Sequence, residues 1–331
     1  MTDYAPGGPL KAAFYFASGF GHQAVLVFFV LSGFLVGRKV RELAQASDPD
    51  FRGYVIDRAS RIFTVALPAI AWSGAALWLL CALAPRSPLV VGPSWSAALQ
   101  HPLASDLNPI PWLATIVLLN TFVAPTPAIE APLWSLAWEW SYYMVAVGLV
   151  AALRRRWSWT TPYAIALLGL CLACNLDLIW GGLVWLFGLA ASIASDRGWL
   201  RGRITLAAIT LLAAIVFLAS RALPIPDWLI GLAIALMTSH RAWRGWSPQA
   251  AVGERLAGFS YTLYAFHFPA TVLIAAALGR RLAFGPPGVL AVVGGLAVTV
   301  LGAYYVSRLT EARTPAVRRW LAGGQRAVPA G

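Results

Sequence analysis

Residues 17–37 read ASGFGHQAVLVFFVLSGFLVG and contain no Asp, Glu, Lys or Arg. A run of about 20 such residues is long enough to cross the hydrocarbon core of a bilayer as one helix. Eight further predominantly apolar runs follow at 62–84, 133–152, 159–176, 178–195, 204–220, 225–240, 257–279 and 286–307. The sequence therefore predicts an all-α integral membrane protein, a polytopic bundle of about nine spanning helices.

The composition of the 331-residue chain excludes the water-soluble classes. Hydrophobic residues make up 59% and charged residues 11%, and the mean hydropathy is +0.69, far from the values of soluble domains. The net charge of +12 indicates membrane topology and not nucleic-acid binding, because the basic residues cluster between apolar runs. The three cysteines lie inside apolar runs, so we expect neither a disulfide framework nor a metal site.

The stretch 111–124 is apolar but short, and prolines bracket it. We expect a re-entrant or short helix there that does not cross the membrane. On that assumption twenty of the 25 Lys and Arg residues fall on one side, which predicts that this side is cytoplasmic. The predicted organisation is an extracytoplasmic N-terminal segment over 1–16, a transmembrane domain over 17–310 and a cytoplasmic tail over 311–331.

The predicted N-terminal segment has neither the basic nor the apolar region that would direct its export. We therefore expect that the chain as given lacks a first helix running from inside to outside.

Two of the predicted membrane spans, 133–152 and 257–279, contain polar side chains that are costly to place in lipid. On a helix, Ser135, Glu139 and Tyr142 share one face, as do Ser260, Tyr264 and His267 further along the chain. One reading is structural, with each titratable group bonded to hydroxyls inside the bundle. The other reading places Glu139 and His267 beside a substrate cavity.

Arg58 and Arg61 precede the apolar run 62–84 and lie one helical turn apart. Guanidinium groups bind phosphate oxygens in a bidentate manner, so the pair is suited to a phosphorylated ligand. Ordinary anchoring at the cytoplasmic face explains the two arginines at least as well.

These motifs follow an order typical of one family. Residues 28–34 read FFVLSGF, the arginine pair comes next, residues 134–143 match WSLxxExxxY, residues 260–269 match SYxLYxxHFP, and Glu311 corresponds to a late FE/P motif. From residue 20 to about 315 the chain resembles the membrane-bound acyltransferase family 3.

The resemblance implies transfer of an acyl group, most often acetyl, from cytosolic acyl-CoA to a hydroxyl, commonly on a cell-surface or exported glycan. It implies a multi-pass protein of the bacterial inner membrane that works without a metal. The implied site residues are His267, Glu139 and Tyr264 as catalytic groups, Arg58 and Arg61 for coenzyme A, and Trp134, Ser135, Tyr143 and Ser260 for the substrate. Within that set, Glu139 orients a histidine or the acceptor, and His267 with Tyr264 lines the cavity.

Members of that family carry a catalytic histidine on a first helix, and this sequence has no counterpart to that helix. His22 follows the loop after it and is not assigned the role. Two other functions stay open at this point. One is a transporter or flippase for a glycan or lipid, and the other is a truncated paralogue without catalytic activity.

Overall fold

A computed structural model describes residues 8–92, 99, 101–156, 159–174, 177–240, 242, 250–278 and 285–323. Residues 1–7 of the predicted N-terminal segment and 324–331 of the predicted tail lie outside that range. The described residues form helices and turns, with no β-strand among them. They fall into two compact units: the first is Met1–Phe51 with Trp138–Ser247, and the second is Arg52–Ala137 with Pro248–Gly331.

Each predicted apolar run overlaps an α-helix, although the helix over the run 62–84 begins earlier, at Phe51. The α-helices are α1 Pro9–Ser18, α2 Gly21–Gln45, α3 Phe51–Leu83, α4 Pro88–Val91, α5 Pro109–Ile116, α6 Trp134–Leu153, α7 Thr160–Cys174, α8 Asp177–Arg197, α9 Arg203–Ala219, α10 Asp227–Ser239, α11 Ala250–Leu278, α12 Pro286–Ser307 and α13 Thr314–Leu321. Short 3-10 turns occur at Leu103–Leu107, Ala128–Leu133 and Glu311–Arg313.

Six helical stretches within the described part are long and apolar enough to cross a membrane. They are Ala12–Gln45, Phe51–Leu83, Ala128–Leu153, Asp177–Arg197, Arg255–Leu278 and Pro287–Leu321. The apolar helices α7, α9 and α10 coincide with predicted spans but are shorter, at 15, 17 and 13 residues. The all-helical membrane architecture is confirmed, and the total of about nine spans stays a prediction.

No single helix covers the stretch 111–124. Helix α5 has eight residues, a rise of about 12 Å, which is less than half of a hydrocarbon core about 30 Å thick. After it the chain turns through Leu118 and Thr121, whose φ angles are 57° and 72°, in a region that residues other than glycine rarely adopt. This segment is therefore a short helix followed by a tight turn.

In the first unit, glycines bring α2 and α8 close together. A Cβ atom on Gly33 would lie 1.9 Å from the carbonyl oxygen of Trp185, and one on Gly188 would lie 2.1 Å from the carbonyl oxygen of Val30. Small residues at a helix crossing allow backbone-to-backbone contact, which is the usual source of association between membrane helices. The glycine of the FFVLSGF motif thus sets the distance between these two helices.

In the second unit, a loop is held inside the fold by a buried carboxylate. Asp106 accepts hydrogen bonds from the backbone N–H of Ala128 at 3.0 Å and of Ile129 at 2.9 Å, and it lies 2.8 Å from Nε2 of His101. The surrounding apolar cluster includes Leu77, Leu80, Leu103, Ile129 and Val272. This arrangement positions the 3-10 turn Ala128–Leu133 that leads directly into α6.

Candidate functional site

The predicted arginine pair lines a cavity in the second unit. Helix α3 has 33 residues, about 50 Å, so its first turns extend beyond the length that a hydrocarbon core requires. Arg58 and Arg61 lie in those turns. Together with Asp57 they form one wall of a cavity of about 410 Å³, and Thr314, Arg318 and Arg319 of α13 form another. This volume lies in the range of about 300–1,000 Å³ typical of small-molecule sites.

Positive charge dominates the cavity wall. Four arginines line the cavity, and Asp57 supplies its single carboxylate. Arg58 donates to Asp57, and Nη1 of Arg318 lies 2.9 Å from Oδ1 of the same carboxylate. The Arg58 side chain is only 14% exposed, whereas that of Arg318 is 58% exposed. A wall of this composition attracts anions and offers bidentate donors to phosphate oxygens.

The start of α13 is held by a contact of Glu311. One carboxylate oxygen of Glu311 accepts from the backbone N–H of Thr262 at 3.2 Å and from its hydroxyl at 3.1 Å. The hydroxyls of Thr262 and Thr310 are 3.0 Å apart. These bonds join α11 to the turn Glu311–Arg313, which continues directly into α13. Glu311 thereby positions the helix that carries Arg318.

A second polar cluster joins the start of α6 to α11. The hydroxyl of Tyr264 donates to the backbone carbonyl of Pro132, and it lies 2.6 Å from the hydroxyl of Ser135. Because a carbonyl oxygen only accepts, the single hydroxyl proton of Tyr264 is used there. Ser135 therefore donates to Tyr264, and the predicted substrate residue and the predicted catalytic tyrosine are in contact.

His267 lies beside Tyr264 in a defined tautomer. Nδ1 of His267 is 2.7 Å from the backbone carbonyl oxygen of Tyr264, and the two rings are 6.2 Å apart between centroids. The carbonyl can only accept, so Nδ1 carries a proton, and in the neutral ring Nε2 is the acceptor. The imidazole itself is half-buried.

The remaining predicted residues of this unit lie apart from that contact. Ser260 is exposed, and its hydroxyl donates to the backbone carbonyl of Ala257 in its own helix at 3.1 Å. Trp134 is half-buried at the first position of α6. The predicted polar face of α11 thus holds a joined pair, Tyr264 and His267, and one separate serine.

Glu139 and Tyr143 belong to the first unit, where they form a buried network with α2 and α8. The Ser32 hydroxyl donates to Glu139 at 3.1 Å, and Tyr143 donates to the same carboxylate oxygen. The indole N–H of Trp185 donates to Ser32 at 3.3 Å. Glu139 is only 5% exposed, so these bonds lower the cost of burying it.

The polar residues on the predicted face of α6 form hydrogen bonds with different partners. Tyr142 does not join Glu139, because its hydroxyl donates to the backbone carbonyl of Leu178 at 2.9 Å. Tyr143, four residues after Glu139, lies about 40° away around the helix axis, whereas Tyr142, at a spacing of three, lies about 60° away on the other side. Ser135, Glu139 and Tyr142 thus lie on one helix at the predicted spacings, but Tyr142 and Glu139 have different hydrogen-bond partners.

Sequence reasoning missed the contribution of α13. Arg318 and Arg319 were predicted to lie in a cytoplasmic tail with no further role, and Asp57 was not singled out. A signal was present, because the predicted tail contains two adjacent arginines with the same chemistry as the pair Arg58 and Arg61. The sequence gives no indication, however, that α13 meets the first turns of α3.

Sequence reasoning also passed over Glu130. This residue is fully buried in the turn Ala128–Leu133, and neither carboxylate oxygen has a hydrogen-bond partner among the described residues. A buried carboxyl group without a partner costs free energy. No contact of the second unit explains why an acid occupies this position.

In the described part of the chain, no group of three or more His, Cys, Asp or Glu side chains is placed to hold a metal ion.

No curated protein and no solved structure matches this chain significantly. One family model, described as an acyltransferase domain, matches residues 1–308. The match covers most of the chain, and the chain therefore belongs to acyltransferase family 3, the family that its motifs resemble.

Proposed function

We propose that this membrane acyltransferase is an O-acyltransferase, which transfers an acyl group, most often acetyl, from cytosolic acyl-CoA to a hydroxyl of a cell-surface or exported glycan. The observation that carries the proposal is the arginine-lined cavity at the start of α3. Its charge and volume suit the phosphates of coenzyme A. The distribution of basic residues predicts that this end of the protein faces the cytoplasm, where acyl-CoA is made.

The proposed reaction is an acyl transfer from sulfur to oxygen. The hydroxyl oxygen forms a bond with the thioester carbonyl carbon, and the carbon–sulfur bond breaks. The hydroxyl proton passes to a base during attack, and the coenzyme A thiolate ends protonated. A general base for this step needs an unprotonated nitrogen at neutral pH.

The residues divide the work as follows. Arg58 and Arg61 bind the phosphates of the donor. His267, whose Nε2 is an acceptor in the neutral ring, lines the acceptor cavity with Tyr264 and accepts a hydrogen bond from the hydroxyl that reacts. Glu139, held by the hydroxyls of Ser32 and Tyr143, orients a histidine or the acceptor.

The donor assignment is tested with a pair of matched double variants in the full chain. Arg58→Gln/Arg61→Gln removes two guanidinium groups at a spacing of three from the cavity. Arg38→Gln/Arg41→Gln removes two at the same spacing from α2, where both pair with Asp196, at 2.7 and 2.8 Å. Membranes containing each variant are incubated with radiolabelled acetyl-CoA, and the label in extracted glycans is counted.

We expect the wild type and the Arg38/Arg41 variant to label glycan, and the Arg58/Arg61 variant to lose at least tenfold in kcat/KM for acetyl-CoA. Loss of a single bidentate contact with a charged group is enough to lower kcat/KM by this factor, so tenfold is the smallest decrease that we expect. Equal activity of the two variants would remove the donor assignment. A wild type that leaves no label in any glycan while moving glycan across the membrane would identify a transporter instead.

A further inference from the structure

We propose that Arg318 and Arg319 of α13 form a second anion subsite in the arginine-lined cavity, which binds a phosphate monoester separate from the phosphates held by Arg58 and Arg61. The donor is then a nucleotide thioester that carries two separate phosphate groups, as coenzyme A does with its pyrophosphate and its ribose 3′-phosphate. The inference rests on the proposed function and adds the residues that select the donor.

The two pairs of arginines lie on different helices of the second unit. Arg58 and Arg61 are one turn apart on α3, and Arg318 and Arg319 lie on α13. All four line one cavity of about 410 Å³. One phosphate group does not need four guanidinium groups, since two bidentate contacts already use its oxygen atoms. The second pair is thus available to a second phosphate.

The charge of the cavity supports two anionic groups. Four guanidinium groups and one carboxylate leave an excess of positive charge. A phosphate monoester carries about −1.5 to −2 charges at neutral pH. Such a group competes with Asp57 for Arg318, since the Asp57 carboxylate is already shared with Arg58. Binding of the monoester therefore exchanges a shared ion pair for a bidentate contact.

Contacts of Glu311 and Arg318 hold α13 in place for this role. Its first residue follows the turn Glu311–Arg313, which the bonds of Glu311 to Thr262 tie to α11. The Arg318 guanidinium is then held against Asp57 at 2.9 Å. The side chain is 58% exposed, so it reaches a ligand in the cavity by rotation of its own bonds.

The headgroup of an anionic lipid has the same phosphate chemistry. Exposed Trp320, next to Arg319, is typical of a helix that contacts a membrane surface, and basic residues there attract anionic lipids. The experiment must therefore separate a phosphate on the donor from a phosphate on a lipid.

The full chain is purified into nanodiscs of uncharged lipid and, separately, into nanodiscs containing anionic lipid. Bound radiolabelled acetyl-CoA is displaced with coenzyme A or with 3′-dephospho-coenzyme A, which differ only in the ribose 3′-phosphate. The test variant is Arg318→Gln/Arg319→Gln. The control is Arg308→Gln/Arg313→Gln, which removes the same charge from exposed arginines of the same unit that do not line the cavity.

In uncharged nanodiscs we expect the wild type and the control to bind coenzyme A on the order of tenfold more tightly than the dephospho form, because a charge-assisted contact is lost without the 3′-phosphate. The Arg318/Arg319 variant should bind the two compounds equally, with an affinity for the dephospho form within about twofold of wild type. Size-exclusion profiles verify that each variant remains folded.

Three results overturn the inference while leaving the proposed function intact. The first is equal binding of both compounds by the wild type. The second is an unchanged preference of the Arg318/Arg319 variant for coenzyme A over the dephospho form. The third is a loss of that preference by the variant only with anionic lipid. A wild type that does not bind acetyl-CoA at all overturns the proposed function and, with it, the inference. The two failures are thus distinguishable.

Discussion

Replacement of Gly33 by alanine is expected to force α2 and α8 apart. The added Cβ atom would lie 1.9 Å from the carbonyl oxygen of Trp185 and 3.2 Å from the Cα atom of Gly188. Close carbon–oxygen contacts between helices have lengths of about 3.3–3.6 Å, so the helices must separate locally by roughly 1.5 Å. Both obstructing atoms belong to the backbone, and no side-chain rotation relieves the clash.

The expected sign follows from two opposing effects. Alanine is a better helix former than glycine by about 1 kcal/mol, and overpacking costs about 1–3 kcal/mol, occasionally more. Because the added Cβ atom meets backbone atoms that cannot rotate away, we expect the upper part of that range and a net loss of about 2 kcal/mol. The separation also weakens the bond from Trp185 to Ser32, so acyl transfer should fall together with stability.

The assay is the midpoint of unfolding in mixed micelles of increasing SDS content, with Gly169→Ala as the control. A Cβ atom on Gly169 of α7 meets nothing within 4 Å, and this variant should be as stable as the wild type or slightly more stable. Gly188→Ala should resemble Gly33→Ala, and the double variant should lose less than the sum of the two, since both act at one crossing. The reasoning is refuted if Gly33→Ala and Gly169→Ala unfold at the same midpoint.

Two buried acids of the second unit should respond to substitution in opposite directions. Asp106→Ala leaves the buried N–H groups of Ala128 and Ile129 without an acceptor, and at about 1–3 kcal/mol for each group we expect a loss of roughly 2–6 kcal/mol in the same SDS titration. A loss below 1 kcal/mol would show that water replaces the carboxylate. Glu130→Met replaces a carboxyl group that has no hydrogen-bond partner among the described residues, and we expect stability to rise by about 1 kcal/mol or more. A clear fall in stability would contradict that reasoning, and a loss of acyl transfer in a stable protein would give Glu130 a functional role.

The amino-acid sequence alone determined the helical architecture. Apolar runs such as 62–84 must become helices in a bilayer, because the backbone finds no other hydrogen-bond partner there. The prediction of a short helix around 111–124 followed from its prolines in the same way. The helix α2 nevertheless begins later than predicted, at Gly21, because a break at residues 19–20 separates it from α1. It also ends later, at Gln45, since helices continue past the membrane surface where charged residues are solvated.

The site was predictable in residue type and only partly in arrangement. Periodicity placed Tyr264 and His267 on one face of α11, and the structure brings them together. The partner of Tyr264 across the fold, Ser135, was predicted as a site residue, but the contact between them was not. Of the two partners of Glu139, Tyr143 was predictable from its spacing along α6, whereas the contact with Ser32 depends on how α2 packs.

What the sequence determined by itself is therefore everything that depends on one helix at a time: the apolar lengths, the faces that carry polar groups, and the pair Arg58 and Arg61. What only the tertiary structure decided are the meetings between distant segments, such as Arg318 with Asp57 and Gly33 with Trp185. The physical reason is that helix periodicity is a local property of the backbone, whereas contact between helices depends on the shape and charge of two surfaces that are far apart in the chain.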